Sequence, residues 1–143
     1  MSASADRVFV DTNILIYAFG DEEGAKQKTA KRVIADLWTQ GLGMVSPQVL
    51  AEFYHVATRK QKMPKAIARK IIAAYRPWCS AHTSPELLVS ASLLEEKHKL
   101  SWWDSMLIEA ALQGGAGTFL SEDLQHGQKF GQLTVRNPFV DGD

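Results

Sequence analysis

Val8-Phe9-Val10 forms, with Arg7, a short β-branched and aromatic run that stops at Asp11-Thr12-Asn13, residues suited to leaving a strand and capping a helix. From about Glu23 to Gln40 the apolar residues Ala30, Val33, Ile34, Leu37 and Trp38 recur at helical spacing, and Gly41 and Gly43 end that segment. Met44-Val45-Ser46 reads as a second strand. Ser46-Pro47 then supplies an N-cap and a first-turn proline, and Val49, Leu50, Phe53, Val56 and Ala57 give the next helix a buried stripe. Pro64 opens a helix that ends near Pro77. Another runs from about Pro85 to His98 with Leu87, Leu88, Ala91, Leu93 and Leu94 as its apolar positions. Ser101 to Gln113 is almost continuously apolar and stops at Gly114-Gly115, after which Thr118-Phe119-Leu120 and Leu133-Thr134-Val135 read as strands. Short strands alternating with helices predict an α/β fold, a short central parallel β-sheet flanked on both faces by α-helices. Such sheets place ligands beyond the carboxyl ends of their strands, where Asp11 and Asp123 fall.

Composition narrows the class. The 143 residues are 45% hydrophobic, which suits one domain spanning 1–143, and there is no repeat, low-complexity tract or linker. No apolar run approaches the ~20 residues of a membrane span and no signal-peptide core is visible, so a cytoplasmic, membrane-free protein is expected. Cys79 is the sole cysteine, so any bound metal must be held by oxygen or His. The 16 basic and 16 acidic residues cancel, but they are not mixed. Between Glu52 and Glu86 there is no acid, while Arg59, Lys60, Lys62, Lys65, Arg69, Lys70 and Arg76 fall inside that stretch.

Four acids carry the candidate chemistry, and each has a plainer reading. Asp11 follows the first strand, where it either caps the next helix or holds a cation in the sheet crevice. Glu52 lies at the edge of the stripe that includes Val49 and Val56. A carboxylate so placed is partly desolvated and needs a base, a donor or a metal. Asp104 sits on an apolar helix between Leu107, Ile108 and Ala111, yet Ser101 and Asp104 also have the Ser-x-x-Asp spacing of a capping box. Ser121-Glu122-Asp123 delivers another carboxylate past a strand end, with Asp123 favoured over Glu122 and a polar turn as the alternative. Four such signals converge on one end of one sheet.

The segments VDTNILIYAF at 10–19, LAEFYHVATRK at 50–60, LSWWDSMLIEAAL at 100–112 and LSEDLQHG at 120–127 resemble the PIN-domain nucleases, and most closely the VapC-type toxins of bacterial toxin–antitoxin pairs. The resemblance extends from about Val8 to Val135, with the motifs in the family's order. It implies a PIN-like α/β fold in which Asp11, Glu52, Asp104 and Asp123 are metal-binding acids that cleave single-stranded segments of RNA. Thr12, Asn13 and Ser121 match the residues that support the site. The resemblance also implies homodimers and a cognate antitoxin that inhibits by occupying the groove.

Phosphodiester hydrolysis brings a nucleophile onto an anionic phosphate, and Mg²⁺ or Mn²⁺ on oxygen ligands relieves that repulsion. Asp11, Asp104 and Asp123 are expected to bind the ion directly or through water, and Glu52 to position a second ion or orient the attacking water. The histidines at 55, 82, 98 and 126 show no metal-ligand spacing, and Trp102 and Trp103 read as core. Lys62, Lys65, Arg69 and Arg76 fall within roughly a 60° helical arc opposite Ile67, Ile71, Ala74 and Trp78, an amphipathic helix whose outer face is either an RNA grip or solvated surface. Two other functions compete. One is a non-catalytic RNA- or antitoxin-binding module of the same fold. The other is a Mg²⁺-dependent phosphoacceptor or phosphatase domain, which would want paired acids at the first strand and a lysine late in the sheet; Asp11 has no acidic neighbour before Gly20, and the strand Leu133-Thr134-Val135 brings Arg136 but no lysine.

Overall fold

The computed structural model describes residues 6–21, 24–80 and 83–140. Five strands form one sheet in the order β2-β1-β3-β5-β4: β1 (Val8–Val10), β2 (Gly43–Met44), β3 (Thr118–Leu120), β4 (Lys129–Phe130) and β5 (Leu133–Arg136). β2, β1, β3 and β5 run parallel, while β4 pairs antiparallel with β5. Neighbouring strand residues point to opposite faces, and in both β1 and β3 the neighbours Phe9, Val10, Phe119 and Leu120 are buried. Both faces of the sheet are therefore covered, as the strand pattern predicts. Phe9 and Phe119 are register partners and stack with ring centroids 5.3 Å apart.

Six helices surround the sheet: α1 (Thr12–Phe19), α2 (Ala25–Gln40), α3 (Pro47–Arg59), α4 (Lys65–Ala74), α5 (Pro85–His98) and α6 (Trp102–Gln113). Their ends follow the sequence chemistry. Asp11 caps α1, Ser84 caps α5 and Ser101 caps α6, each side chain accepting a first-turn N–H. Gly41 ends α2 at φ 70°, a left-handed conformation that costs glycine little. The sequence-predicted start of α2 at Glu23 lies outside the described residues.

Topology sets the position of the site. From β1 the chain goes to β2 on one side and returns, through α3 to α6, to β3 on the other. The carboxyl ends of β1 and β3 thus flank a topological switch point, the crevice in which open α/β sheets bind ligands.

Several expectations need correction. The second strand begins one residue early, at Gly43, and Val45 instead makes an isolated bridge to Cys79. The antiparallel β4 is too short to leave a pattern. Trp103 is 60% exposed, and Leu93 on α5 is 64% exposed, because α5 packs through Leu87 and Ala91. The basic arc also breaks. α4 covers only Lys65–Ala74, with Lys62 in a preceding turn at φ 56° and Arg76 in a following 3-10 turn. Its buried face is Ala68, with Ile71 and Ile72 half-buried, while Ile67 is exposed.

Candidate active site

Asp11 leaves β1 with its N–H bonded to Leu120 O at 2.9 Å, so its backbone prolongs the β1/β3 ladder. Its carboxylate is buried and doubly bonded: Oδ1 accepts from Thr12 N at 2.7 Å and Oδ2 from the Ser121 hydroxyl at 2.7 Å. The capping reading of Asp11 is thus correct, and it leaves the carboxylate at the crevice. Burial pushes its pKa from 3.8 up to about 7, helped by the charges of Asp123 and Asp104 and opposed by the Ser121 and Thr12 bonds.

Ser121 Oγ also accepts from Asp123 N at 3.1 Å, which fixes the turn after β3. Asn13 clasps the same turn with both ends of its amide. Nδ2 donates to Asp123 Oδ2 at 2.9 Å, and Oδ1 accepts from Glu122 N at 3.4 Å. Glu122 turns the other way, ion-paired with Lys26 and accepting from the Tyr17 hydroxyl at 2.8 Å. Those two partners hold its pKa below the usual value despite some burial. Asp123 thus lines the pocket with the other acids, and Glu122 does not.

Glu52 is brought in by α3. Its neighbours Val49 and Phe53 are buried, so one side of Glu52 is drawn toward the interior, and Thr12 donates its hydroxyl to Oε2 at 3.1 Å. Burial raises its pKa, opposed by the Thr12 bond and aided by the Asp104 charge. Asp104 enters from the first turn of α6. Its backbone N–H bonds to Ser101 Oγ at 3.0 Å, so the cap exists, while its carboxylate lines the same pocket as the other acids. Burial raises Asp104 too, with the Asp123 charge adding to it.

Asp11, Glu52, Asp104 and Asp123 therefore line one pocket of about 440 Å³, together with Thr12, Asn13 and the exposed His55. A larger hollow of about 750 Å³ lies beside α2, lined by Lys26, Arg32, Asp36, Arg136 and Phe139, and contains none of these acids. Size does not mark the chemistry here; the carboxylates do. Among the described residues, no three His, Cys, Asp or Glu side chains converge as a preformed ligand shell. His82 lies outside those residues, and His126 accepts from Asn137 N at 3.0 Å through Nδ1.

Lys62, Lys65, Arg69 and Arg76 are exposed and border no pocket that holds an acid. The neighbouring hollow instead takes Lys60 and Gln61, along with Tyr17 and Gly20. Lys60 was visible in the acid-free stretch. Gln61, uncharged and just past a helix end, left no signal.

Among curated proteins none matches the chain. A solved structure of similar fold is that of Mycobacterium tuberculosis VapC20, described as a sarcin-ricin loop cleaving toxin. It is 24% identical, the match covers 78% of this chain and 86% of that one, and the TM-score is 0.63. At that identity the likeness shows the fold. A family model for the PIN domain matches residues 8–129, a span that runs from β1 to β4 and contains all four acids. The chain belongs to the PIN domain family.

Proposed function

We propose that this protein is a Mg²⁺- or Mn²⁺-dependent endoribonuclease that hydrolyses phosphodiester bonds in single-stranded RNA, and that it is the toxin of a type II toxin–antitoxin pair. The observation that carries this reading is the convergence of four carboxylates, from β1, α3, α6 and the turn after β3, on one pocket. The VapC20 neighbour, described as a sarcin-ricin loop cleaving toxin, supports the RNA substrate.

The donors fit a hard divalent ion. All are carboxylate oxygens, and burial and mutual charge keep Asp11, Glu52 and Asp104 reluctant to ionise, a conflict a cation removes. Mg²⁺ retains several waters, which suits acids spread around a pocket. When bound, the ion would neutralise phosphate charge and lower the pKa of water.

The residues divide the remaining work. Asp11, Asp104 and Asp123 would hold the ion, directly or through water. Glu52 would accept a hydrogen bond from the attacking water or hold a second ion. Thr12, Asn13 and Ser121 fix Glu52, Asp123 and Asp11 in place before substrate arrives. Lys62, Lys65, Arg69 and Arg76 would contact the RNA backbone away from the cleaved bond. The same reading brings a cognate antitoxin, a homodimer and a cytoplasmic location.

Incubation of purified protein with single-stranded RNA decides the enzyme reading. Cleavage should require Mg²⁺ or Mn²⁺, stop in EDTA and vanish in Asp11→Asn. RNA that is bound but stays intact with either metal would mark a non-catalytic module instead.

A further inference from the structure

A second hollow, of about 350 Å³, adjoins the acid pocket and shares Asn13 and Val56 with it. It lies between α1 and the C-terminal end of α3. Its walls are unlike those of the acid pocket: Ile16 and Val56 are apolar, Tyr17 is aromatic, and Lys60 is the cation. That size is at the lower end of the roughly 300–1,000 Å³ typical of small-ligand pockets.

Gln61 is the unexplained residue. Its Oε1 is buried and has no hydrogen-bond partner among the described residues. The side chain is nevertheless confined. A Cβ on Gly20 would stand 2.8 Å from Gln61 Nε2 and 3.1 Å from Oε1, so the carboxamide rests on the bare backbone that glycine leaves. The turn that carries it is folded back onto α3 by Met63 N to Ala57 O at 2.9 Å, with Lys62 forced to a left-handed φ of 56°. Strained backbone and an orphaned acceptor occur together at a hollow open to the acids. A buried acceptor of this kind calls for a partner from outside the chain, and at a hollow next to the acids a ligand is positioned to be one.

We infer that this hollow is a nucleotide subsite beside the cleaved phosphodiester, in which Gln61 reads the edge of an adenine base and Lys60 contacts its phosphate. The inference rests on the ribonuclease reading. Single-stranded RNA exposes base edges and faces to protein, and aromatic and apolar walls such as Tyr17 and Ile16 accept the faces. A glutamine carboxamide pairs in two places with adenine, accepting from N6 and donating to N7. The terminal torsion of glutamine is broad, so Oε1 can turn into the hollow without a rotamer change. Asn13 ties the two sites together, because it lines both and holds Asp123. A base seated against it would place the adjoining phosphate toward the acids.

The test has two arms. Product ends are sequenced after a randomised single-stranded RNA is cleaved with Mn²⁺. Adenine should be enriched at one fixed position next to the cut, and Gln61→Leu should lose that enrichment. In parallel, binding of fluorescent oligoadenylate and oligouridylate is measured without metal. Wild type should prefer the former by about tenfold, and Gln61→Leu should bind both alike. Lys60→Gln, which leaves the carboxamide in place, should weaken both oligomers equally. A wild type indifferent to adenine in both arms overturns the subsite, as does a Gln61→Leu protein, folded by circular dichroism, that keeps the preference. Adenine-selective binding without any cleavage would keep the subsite and overturn the nuclease reading.

Discussion

Ser121 donates its hydroxyl hydrogen to Asp11 Oδ2 at 2.7 Å, although 110 residues separate the two. The bond joins the carboxyl ends of β1 and β3 across the switch point, and it favours the charged form of a carboxyl that burial keeps near pKa 7. Asp11 is therefore poised between forms at neutral pH.

That balance fixes the sign of a pH effect. The folded pKa of about 7 lies above the unfolded value of 3.8, so the folded metal-free state binds the proton more tightly. Stability from this group is fully present below pH ~3.8 and is lost as pH rises through about 7, by at most ~4 kcal/mol. Glu52 and Asp104, also raised, add in the same direction. Urea unfolding at pH 5 and pH 8 should show metal-free wild type weaker at pH 8. Asp11→Asn, which keeps an acceptor for Thr12 N, should lose much of that difference; an unchanged difference would assign the effect elsewhere.

Lys62, Lys65 and Arg69 are exposed around the start of α4 and do not line the acid pocket. As backbone contacts they would release counterions on binding RNA. Their joint replacement by Gln should weaken RNA binding and flatten its salt dependence, by a log–log slope of about 2 if three contacts are lost. Retained affinity and slope would give this face to solvent or to the partner protein.

Lys99 ends α5 at φ 57°, a region where a side chain costs about 1 kcal/mol or more relative to glycine. Its N–H closes onto Glu95 O at 2.8 Å, so the turn itself is well made. Lys99→Gly should raise the midpoint of thermal unfolding by a few degrees, the gain being trimmed by glycine's freedom in the unfolded chain. A lower midpoint would mean that the lysine side chain contributes more than its backbone costs.

Most of the fold was legible because its signals are local. Pro47 and Pro85 mark helix starts as first-turn prolines and Ser101 marks one through its cap, whereas the Ser46 side chain, expected as an N-cap, makes no cap bond; Phe9 and Phe119 sit in β-branched or aromatic runs suited to a strand covered on both faces. The acids could be singled out by position, Glu52 and Asp104 as carboxylates on otherwise apolar helix faces, Asp11 and Asp123 as carboxylates just past strand ends. Long-range packing was not legible. The face of α4 depends on where Ala68 meets its neighbours, and the turn at Lys62 broke a helical phase that the sequence alone carries straight through. Gln61 shows the limit most clearly, since only the fold brings Gly20 beneath its carboxamide.

Asp104 has two roles that substitution can separate. Its backbone N–H is capped by Ser101 Oγ, whereas its carboxylate lines the acid pocket, where burial and the Asp123 charge raise its pKa. Ser101→Ala removes the cap, and with it a hydroxyl that favours the charged form of Asp104, but leaves the carboxylate itself in place. It should cost about 1 kcal/mol of stability and leave the gain in thermal midpoint on adding Mn²⁺ intact. Asp104→Asn keeps the shape, the backbone and the cap, and removes a charge that its surroundings disfavour. Metal-free, it should be no less stable than wild type at any pH at which the wild-type carboxyl is charged. It should nevertheless lose most of the Mn²⁺-dependent gain, since a ligand stabilises only by binding the folded state in preference to the unfolded one. RNA cleavage should fall with it. If Asp104→Asn instead melts early without metal and still gains from Mn²⁺ as wild type does, the carboxylate serves the helix start, and three acids must suffice for the ion.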